Sequence, residues 1–401
     1  MNSIRVILAV CVASDYVMEQ LDADTAFLNS GLSGLVYMDV PHGVPSENGM
    51  ICKLLKAIYG LKQAASAWNK TIHRVFQRNG FKSCGADQCV YVKRSNNVYW
   101  EKSIEVKEAL KNAFKMKELG TAKFILGMEI DHNKNDGALM IKQTRYIDDV
   151  VERFGQLNSK ATDNPCASNL KLSKTQSPGT VEERAEMQPK PYRSLIGCLL
   201  YITTSISVPR EPWVATLACG YQSATLSEND TKAWDRVQET KNGLKFEAFT
   251  DADWGSNIDD RRSVSGIMVM IGNAPVVFKS IFHRTVALSS AEAEYMALSL
   301  CILWLRAMLK DMCIEQKVAT QIGEDNQGAI ALAKNAGYNS RTKYVDIKYH
   351  FTRENVERRT IKVDYIDTKR QLVDLLTKAL GTKTLNYLSN ASGIKMKITA
   401  Q

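Results

Sequence analysis

The chain has 401 residues, 45% hydrophobic and 24% charged, with 23 Gly and 9 Pro. These proportions exclude a disordered, collagen-like or coiled-coil protein and predict about two to three packed domains. No apolar stretch approaches the ~18 residues of a membrane-spanning helix, and the net charge of +9 is back-loaded, residues 241–401 carrying 23 basic against 17 acidic residues.

The first apolar run, Arg5-Val-Ile-Leu-Ala-Val-Cys-Val-Ala-Ser14, has the layout of a short export signal, but a buried helix is the plainer reading. The nine cysteines are odd in number and scattered from Cys11 to Cys313, which fits reduced thiols in a cytosolic or nuclear protein, not a secreted one. There is no Cys-x-x-Cys, and the close pair Cys84 and Cys89 has no neighbouring histidine, so no structural zinc is expected. Residues 1–155 mix short apolar runs with amphipathic helices. Within them, Ile147, Val150, Val151 and Phe154 repeat at helical spacing, so Tyr146-Ile-Asp-Asp149 is expected on a helix with Asp148 and Asp149 on its solvated face. Residues 157–188 are rich in Ser, Thr, Asn, Lys and Pro without an apolar period, and open a linker and connection segment over 156–240.

From 241 to 380 the pattern changes. Alternation predicts strands at 244–251, 264–271 and 275–282. Ser289-Ser-Ala-Glu292 then reads as a capping box in front of a helix running to about residue 309. A strand at 318–323, helices at 327–334 and 342–357, a strand at 360–366 and a helix at 371–379 complete the order β-β-β-α-β-α-α-β-α. This is an α/β (α+β) arrangement with a mixed sheet and flanking helices. Residues 381–401 are read as a tail.

Acidic residues fall at the ends of these elements. Asp251 closes the first strand, Glu294 lies one turn into the first helix, Asp325 follows the fourth strand, and Asp374 interrupts the apolar face of the last helix. If they converge on one sheet edge, the four carboxylates form a site for hard divalent cations, two of which, about 3.5–4 Å apart, support phosphodiester hydrolysis. Each has a plainer reading as well: Asp251 as a strand-end turn residue, Asp325 as a helix N-cap, Asp374 as a polar helix-edge residue. Glu292 competes with Glu294, but residues two apart on a helix point about 200° from each other, and Glu292 already has the capping role.

At these residues the chain resembles the C-terminal Pol region of copia-type (Ty1/copia) retrotransposons. The resembling segments are Thr250-Asp-Ala-Asp-Trp254, Asp260-Arg-Arg-Ser-Val-Ser-Gly266, Ala287-Leu-Ser-Ser-Ala-Glu-Ala-Glu-Tyr-Met-Ala297, Glu324-Asp-Asn-Gln-Gly-Ala-Ile330, Asp346-Ile-Lys-Tyr-His-Phe351 and Gln371-Leu-Val-Asp-Leu-Leu-Thr-Lys378. The resemblance implies a ribonuclease H, cutting the RNA strand of RNA–DNA hybrids with two Mg2+ or Mn2+ ions on Asp251, Glu294, Asp325 and Asp374. In front, Gln20-Leu-Asp-Ala-Asp-Thr-Ala-Phe-Leu-Asn29 resembles the first catalytic motif of the family's reverse transcriptase, with Asp22 as the metal ligand. Tyr59-Gly-Leu-Lys-Gln63, Phe124-Ile-Leu-Gly-Met-Glu-Ile130 and Pro191-Tyr-Arg-Ser-Leu-Ile-Gly197 resemble its template-contacting, post-palm and connection segments.

The departures weigh on function. The family's Tyr-x-Asp-Asp hairpin belongs between Val92 and the next helix, where Tyr91-Val-Lys-Arg-Ser-Asn-Asn-Val-Tyr-Trp-Glu-Lys-Ser103 runs straight through. Asp22 would hold metal alone, so an inactive polymerase is expected. Ala65 and Ser66 replace the family's Pro and Arg, Ser207-Val-Pro-Arg-Glu-Pro212 is a scrambled Thr-Arg-Pro-Asp segment, and a hairpin is missing ahead of the first ribonuclease H strand. Three readings stay open: a fragment with a dead polymerase and a working ribonuclease H, a non-catalytic nucleic-acid-binding remnant, and a product that never folds stably. Lys62 and the basic run 353–359, led by Arg353, are candidate phosphate contacts, with solvated charge as the plainer alternative. His350 reads as a packing residue, and Trp68, Trp254 and Trp304 as core anchors. The implied partner is an RNA–DNA hybrid or other nucleic acid, no membrane is expected, and the oligomeric state is not legible.

Overall fold

The computed structural model describes residues 2–45, 47, 49–93, 99–133, 138–159, 173–205, 246–271, 274–298, 302–314, 316–334 and 346–394. The Ser207 to Pro212 segment and the chain leading into the first back strand lie outside the described residues, as does the side chain of His350. Two compact units are formed, one from Met1–Tyr16, Lys123–Arg306 and Ile314–Gln401, the other from Val17–Ala122 and Ala307–Cys313. Among the described residues no helix is long and apolar enough to cross a membrane.

The smaller unit contains β1 (Glu19–Ala23), β2 (Tyr37–Asp39), β3 (Ile51–Lys53), β4 (Lys82–Ser83), β5 (Tyr91–Val92) and β6 (Met116–Thr121). They pair antiparallel as β1 with β6, β2 with β3 and β4 with β5. An aromatic cluster supports helices α2 (Ala64–Arg78) and α3 (Tyr99–Ala113): Phe76 stacks on Tyr91 at 4.4 Å, and Trp68 meets Phe114 edge-on at 4.9 Å. Trp68 is thus an anchor, though a half-buried one. Only residues 93–98 join β5 to α3, and none is a carboxylate.

In the larger unit, α1 (Asn2–Ala13) buries Val6, Leu8, Ala9 and Val10, as the buried-helix reading requires. A three-stranded antiparallel sheet of β7 (Phe124–Ile125), β8 (Met128–Asn133) and β9 (Ala138–Lys142) precedes α4 (Thr144–Arg153), α5 (Val181–Met187) and α6 (Tyr192–Ser205). Tyr146 and Ile147 of α4 pack on Leu199 and Ile202 of α6, leaving Asp148 and Asp149 exposed. The literal Tyr-x-Asp-Asp is therefore a solvated helix face.

The rest of this unit is built on β10 (Phe246–Asp253), β11 (Val264–Ile271), β12 (Ala274–Phe282), β13 (Thr320–Glu324) and β14 (Ile361–Tyr365), in the order β12-β11-β10-β13-β14. The first three pair antiparallel, and β13 and β14 add in parallel. Its helices are α7 (Ser290–Leu298), the start of α8 (Ile302–Asp311), whose residues from Ala307 on fall in the smaller unit, α9 (Gln327–Lys334), α10 (Asp346–Glu357), α11 (Asp374–Thr377) and α12 (Thr382–Ala391). Every residue of β11 is buried, which follows from helices on both faces. Side chains alternate across a pleat: Met268 and Met270 join Val373, Leu376 and Leu388 on the α11–α12 face, while Ala252, in register with Ser265, clusters with Ala287 and Ala293 by α7.

Two expectations change, while the helix read as continuous to residue 309 is described over α7 and α8, with 299–301 outside the described residues. The final helix, read over 371–379, shrinks to a 3-10 turn at Thr368–Arg370 and the single turn of α11, and the buried Gln371 between them bonds to β10 instead of continuing the helix. The stretch read as a tail contains α12, whose Leu385 and Leu388 are buried one turn apart.

Candidate metal centre

Asp251 sits two residues from the end of β10, opposite Gly266 of β11. That glycine is required by space: a Cβ there would stand 2.3 Å from Val373 Cγ1 and 2.7 Å from Thr377 Cγ2. With only hydrogen at that position, α11 lies directly on the sheet. Gln371 fixes its approach, donating from Nε2 to the Thr250 carbonyl at 2.8 Å. The result is that the Thr377 hydroxyl donates to Asp251 Oδ2, and Lys378 Nζ lies 2.9 Å from Asp251 Oδ1 and 2.7 Å from Asp374 Oδ1.

On the other side, α7 and α9 come close at Gly328, where a Cβ would meet Ala291 Cβ at 3.0 Å. The N-cap of α9 is Asn326, whose Oδ1 accepts from Gly328 N at 2.9 Å and Ala329 N at 3.1 Å. Asp325 is thereby free of the capping duty it was also suited to. Glu292 is engaged at the start of α7: Ser289 Oγ accepts from its N–H as expected, while its carboxylate accepts from Leu288 N at 2.7 Å, one residue ahead of the Ser289 N–H a strict capping box would use. Glu294 is left to face the sheet.

One oxygen each from Asp251, Glu294 and Asp325 lies within 4.8 Å of the others. Asp251 is fully buried, and Glu294 is 6% exposed with its Oε2 lacking any hydrogen-bond partner. A buried carboxylate oxygen without a donor is costly. Burial first, then the charges of Glu324, Asp251 and Asp325, hold the Glu294 carboxyl far above the usual carboxylate range. Burial and Asp251 raise Asp374 to about 6, although Lys378 pulls it back. Burial lowers the Lys378 ammonium, but Asp251 and Asp374 outweigh it and hold it above its ordinary value. Crowded oxygens, one of them orphaned, fit a hard divalent cation, which takes oxygen ligands and lets neighbouring carboxylates ionise together.

Asp374 lies outside that group of three and is paired with Lys378. Sequence reasoning also passed over Glu324, a fully buried carboxylate that accepts from Thr250 Oγ1 at 2.9 Å and Asn326 N at 3.1 Å. Thr377 and Lys378 stand within a resembling motif but drew no role from it. The i,i+4 spacing of Asp374 and Lys378 was a usable signal. Nothing local marked Glu324.

The other named residues stand apart. Asp22 is exposed on β1, in register with Lys117, and belongs to no group of three close metal-ligating side chains among the described residues. Lys62 is exposed just ahead of α2, and Arg353 on α10 is half-buried with its Nε donating to the Leu332 carbonyl at 3.0 Å. Trp254 is not a core anchor: it is 58% exposed, tethered by its indole N–H to the Ala287 carbonyl at 3.0 Å.

A five-stranded mixed sheet in this order, with helices on both faces and carboxylates meeting at one strand end, is a ribonuclease H-like arrangement. Residues 1–168 match the family described as reverse transcriptase (RNA-dependent DNA polymerase). The chain is 34% identical, over 95% of its length, to the retrovirus-related Pol polyprotein from transposon TNT 1-94 of Nicotiana tabacum, and 28% identical over 98% to that from transposon RE2 of Arabidopsis thaliana. Over nearly its whole length the chain is thus similar to a part of these Pol polyproteins. It covers 31% and 29% of those two relatives, about a third of their length. A crystal structure of LC11-RNase H1 in complex with RNA/DNA hybrid overlaps 33% of this chain and 94% of its own, at 14% identity and a TM-score of 0.27, a likeness too slight to carry weight.

Proposed function

We propose that the back of this chain is a divalent-metal ribonuclease H acting on the RNA strand of RNA–DNA hybrids, joined to a reverse-transcriptase part that no longer polymerises. The observation that carries this reading is the meeting of Asp251, Glu294 and Asp325, with Glu294 Oε2 buried and unpartnered. Magnesium or manganese would be held by these three carboxylates. When bound it supplies Lewis-acid polarisation of a phosphoryl oxygen and a more acidic water. Thr377 fixes the rotamer of Asp251 through its hydroxyl, and the Asn326 cap together with the Gly328 close approach holds Asp325 against α7. A hybrid would be read by backbone shape and 2′-hydroxyls. The reading favours catalysis over a binding-only remnant because Asp251 and Glu294 do reach each other. On the polymerase side, Asp22 has no companion carboxylates from the short 93–98 connection.

The test is cleavage of a labelled RNA–DNA hybrid by the purified chain with magnesium, beside Asp251→Asn and a primer-extension reaction. Metal-dependent cleavage that disappears in the variant, with no extension, supports the proposal. A folded protein that binds the hybrid without cutting it points to the binding-only remnant.

A further inference from the structure

Lys378 follows α11 directly, and its backbone N–H still donates to the Asp374 carbonyl at 2.9 Å, so its side chain projects along the last turn toward the sheet. Its Nζ touches two carboxylates that are 0% and 9% exposed as side chains, while its own side chain is 36% exposed. An Asp–Lys pair at i,i+4 is ordinary on a solvated helix. Here the same ammonium also reaches Asp251, which comes from another element 127 residues away. Separations of 2.9 and 2.7 Å suit an ammonium; octahedral magnesium would draw each oxygen in to about 2.0–2.1 Å.

We propose that Lys378 is the second cation of this site: its ammonium, held between Asp251 and Asp374, occupies the place a second divalent ion would need. The chain then loads one divalent ion on Asp251, Glu294 and Asp325, and a second enters only by displacing Lys378. This rests on the metal-centre reading above. The physical basis is that a tethered lysine is always at hand, carries a compact charge on a flexible stem, and neutralises Asp251 and Asp374 without the geometric demands of magnesium. Its third N–H remains available to a phosphate oxygen.

The experiment is titration of the full chain with MnCl2, by calorimetry and by electron paramagnetic resonance of free manganese, on the wild type, Lys378→Gln and Lys378→Arg. Circular dichroism and melting curves with and without manganese accompany each. The expected result is one ion per chain for the wild type and for Lys378→Arg. Lys378→Gln takes a second ion about tenfold or more tighter than the wild type does, and its metal-free melting temperature falls below the wild type and recovers with manganese. Two ions bound by the wild type with constants that Lys378→Gln leaves unchanged overturn the inference and leave the metal centre standing. No manganese bound by any of the three overturns the metal centre itself, and the inference with it. If Lys378→Gln does not fold, the wild-type stoichiometry decides, because two tight sites there refute the proposal.

Discussion

Gly266→Ala is the sharpest single-atom test of how the site is assembled. The added Cβ would lie 2.3 Å from Val373 Cγ1, 2.7 Å from Thr377 Cγ2 and 3.4 Å from Leu376 Cβ. Carbon atoms rest about 3.5–4.0 Å apart, so α11 has to lift by more than about 1 Å. β11 cannot give way instead, because it is buried throughout and hydrogen-bonded to β10 and β12 on both sides. Overpacking of this kind costs about 1–3 kcal/mol, and each kcal/mol lowers the melting temperature by about 2–4 °C in a domain of 150–250 residues. Lifting α11 also draws Thr377 and Lys378 away from Asp251, so cleavage of a hybrid falls by more than stability alone explains. Gly197→Ala is the control: it sits on α6 with nothing within 4 Å of the point an added Cβ would occupy, and it stabilises by up to about 1 kcal/mol. Equal melting temperatures and equal cleavage for Gly266→Ala and the wild type would refute the account of the close approach.

Other outcomes follow from the same geometry. Glu294→Gln removes the carboxylate most strained by its neighbours, so the metal-free melting temperature rises, the increase caused by magnesium shrinks, and cleavage drops by about 100-fold or more; an unchanged magnesium-induced increase would count against the site. In EDTA, Glu294, Glu324 and Asp374 all hold their protons above the unfolded values of 4.5 and 3.8. The folded chain therefore binds more protons than the unfolded one, and stability measured by urea titration falls as pH rises from about 5 to about 8. The carboxyls held low, such as Asp24 by Lys117 and Lys115 and Asp259 by Ser173 and the Lys174 N–H, lose their contribution only in more acid solution, below that window. A flat or rising curve contradicts the crowding. Asp22→Asn leaves primer extension absent, as in the wild type, and shifts stability by no more than about 0.5 kcal/mol, since Asp22 is exposed; extension by the wild type would show that metal ligands from elsewhere join it.

Much of this structure is legible in the chain alone. Alternation placed β11 at its observed bounds and β10 and β12 within two residues, because an amphipathic or buried strand writes its period of two directly into the chain. The same logic separated the α4 aspartates from a polymerase hairpin, since helical spacing of apolar residues decides which side chains face solvent. The choice of Glu294 over Glu292 also came from local geometry, the start of α7 having engaged the latter. The four carboxylates of the back half were named from the ends of elements. What the chain alone did not disclose was their company. β13 extends to a buried Glu324 because Thr250 and Asn326 satisfy its oxygens, and no local rule places a carboxylate inside a sheet. Trp254, read as a core residue from its type, is largely exposed, with its indole N–H bonded to the Ala287 carbonyl. Most of all, the pairing of Asp251 with Lys378 joins residues 127 positions apart. It exists because Gly266 lets α11 lie on the sheet, a contact between elements that neither periodicity nor propensity encodes.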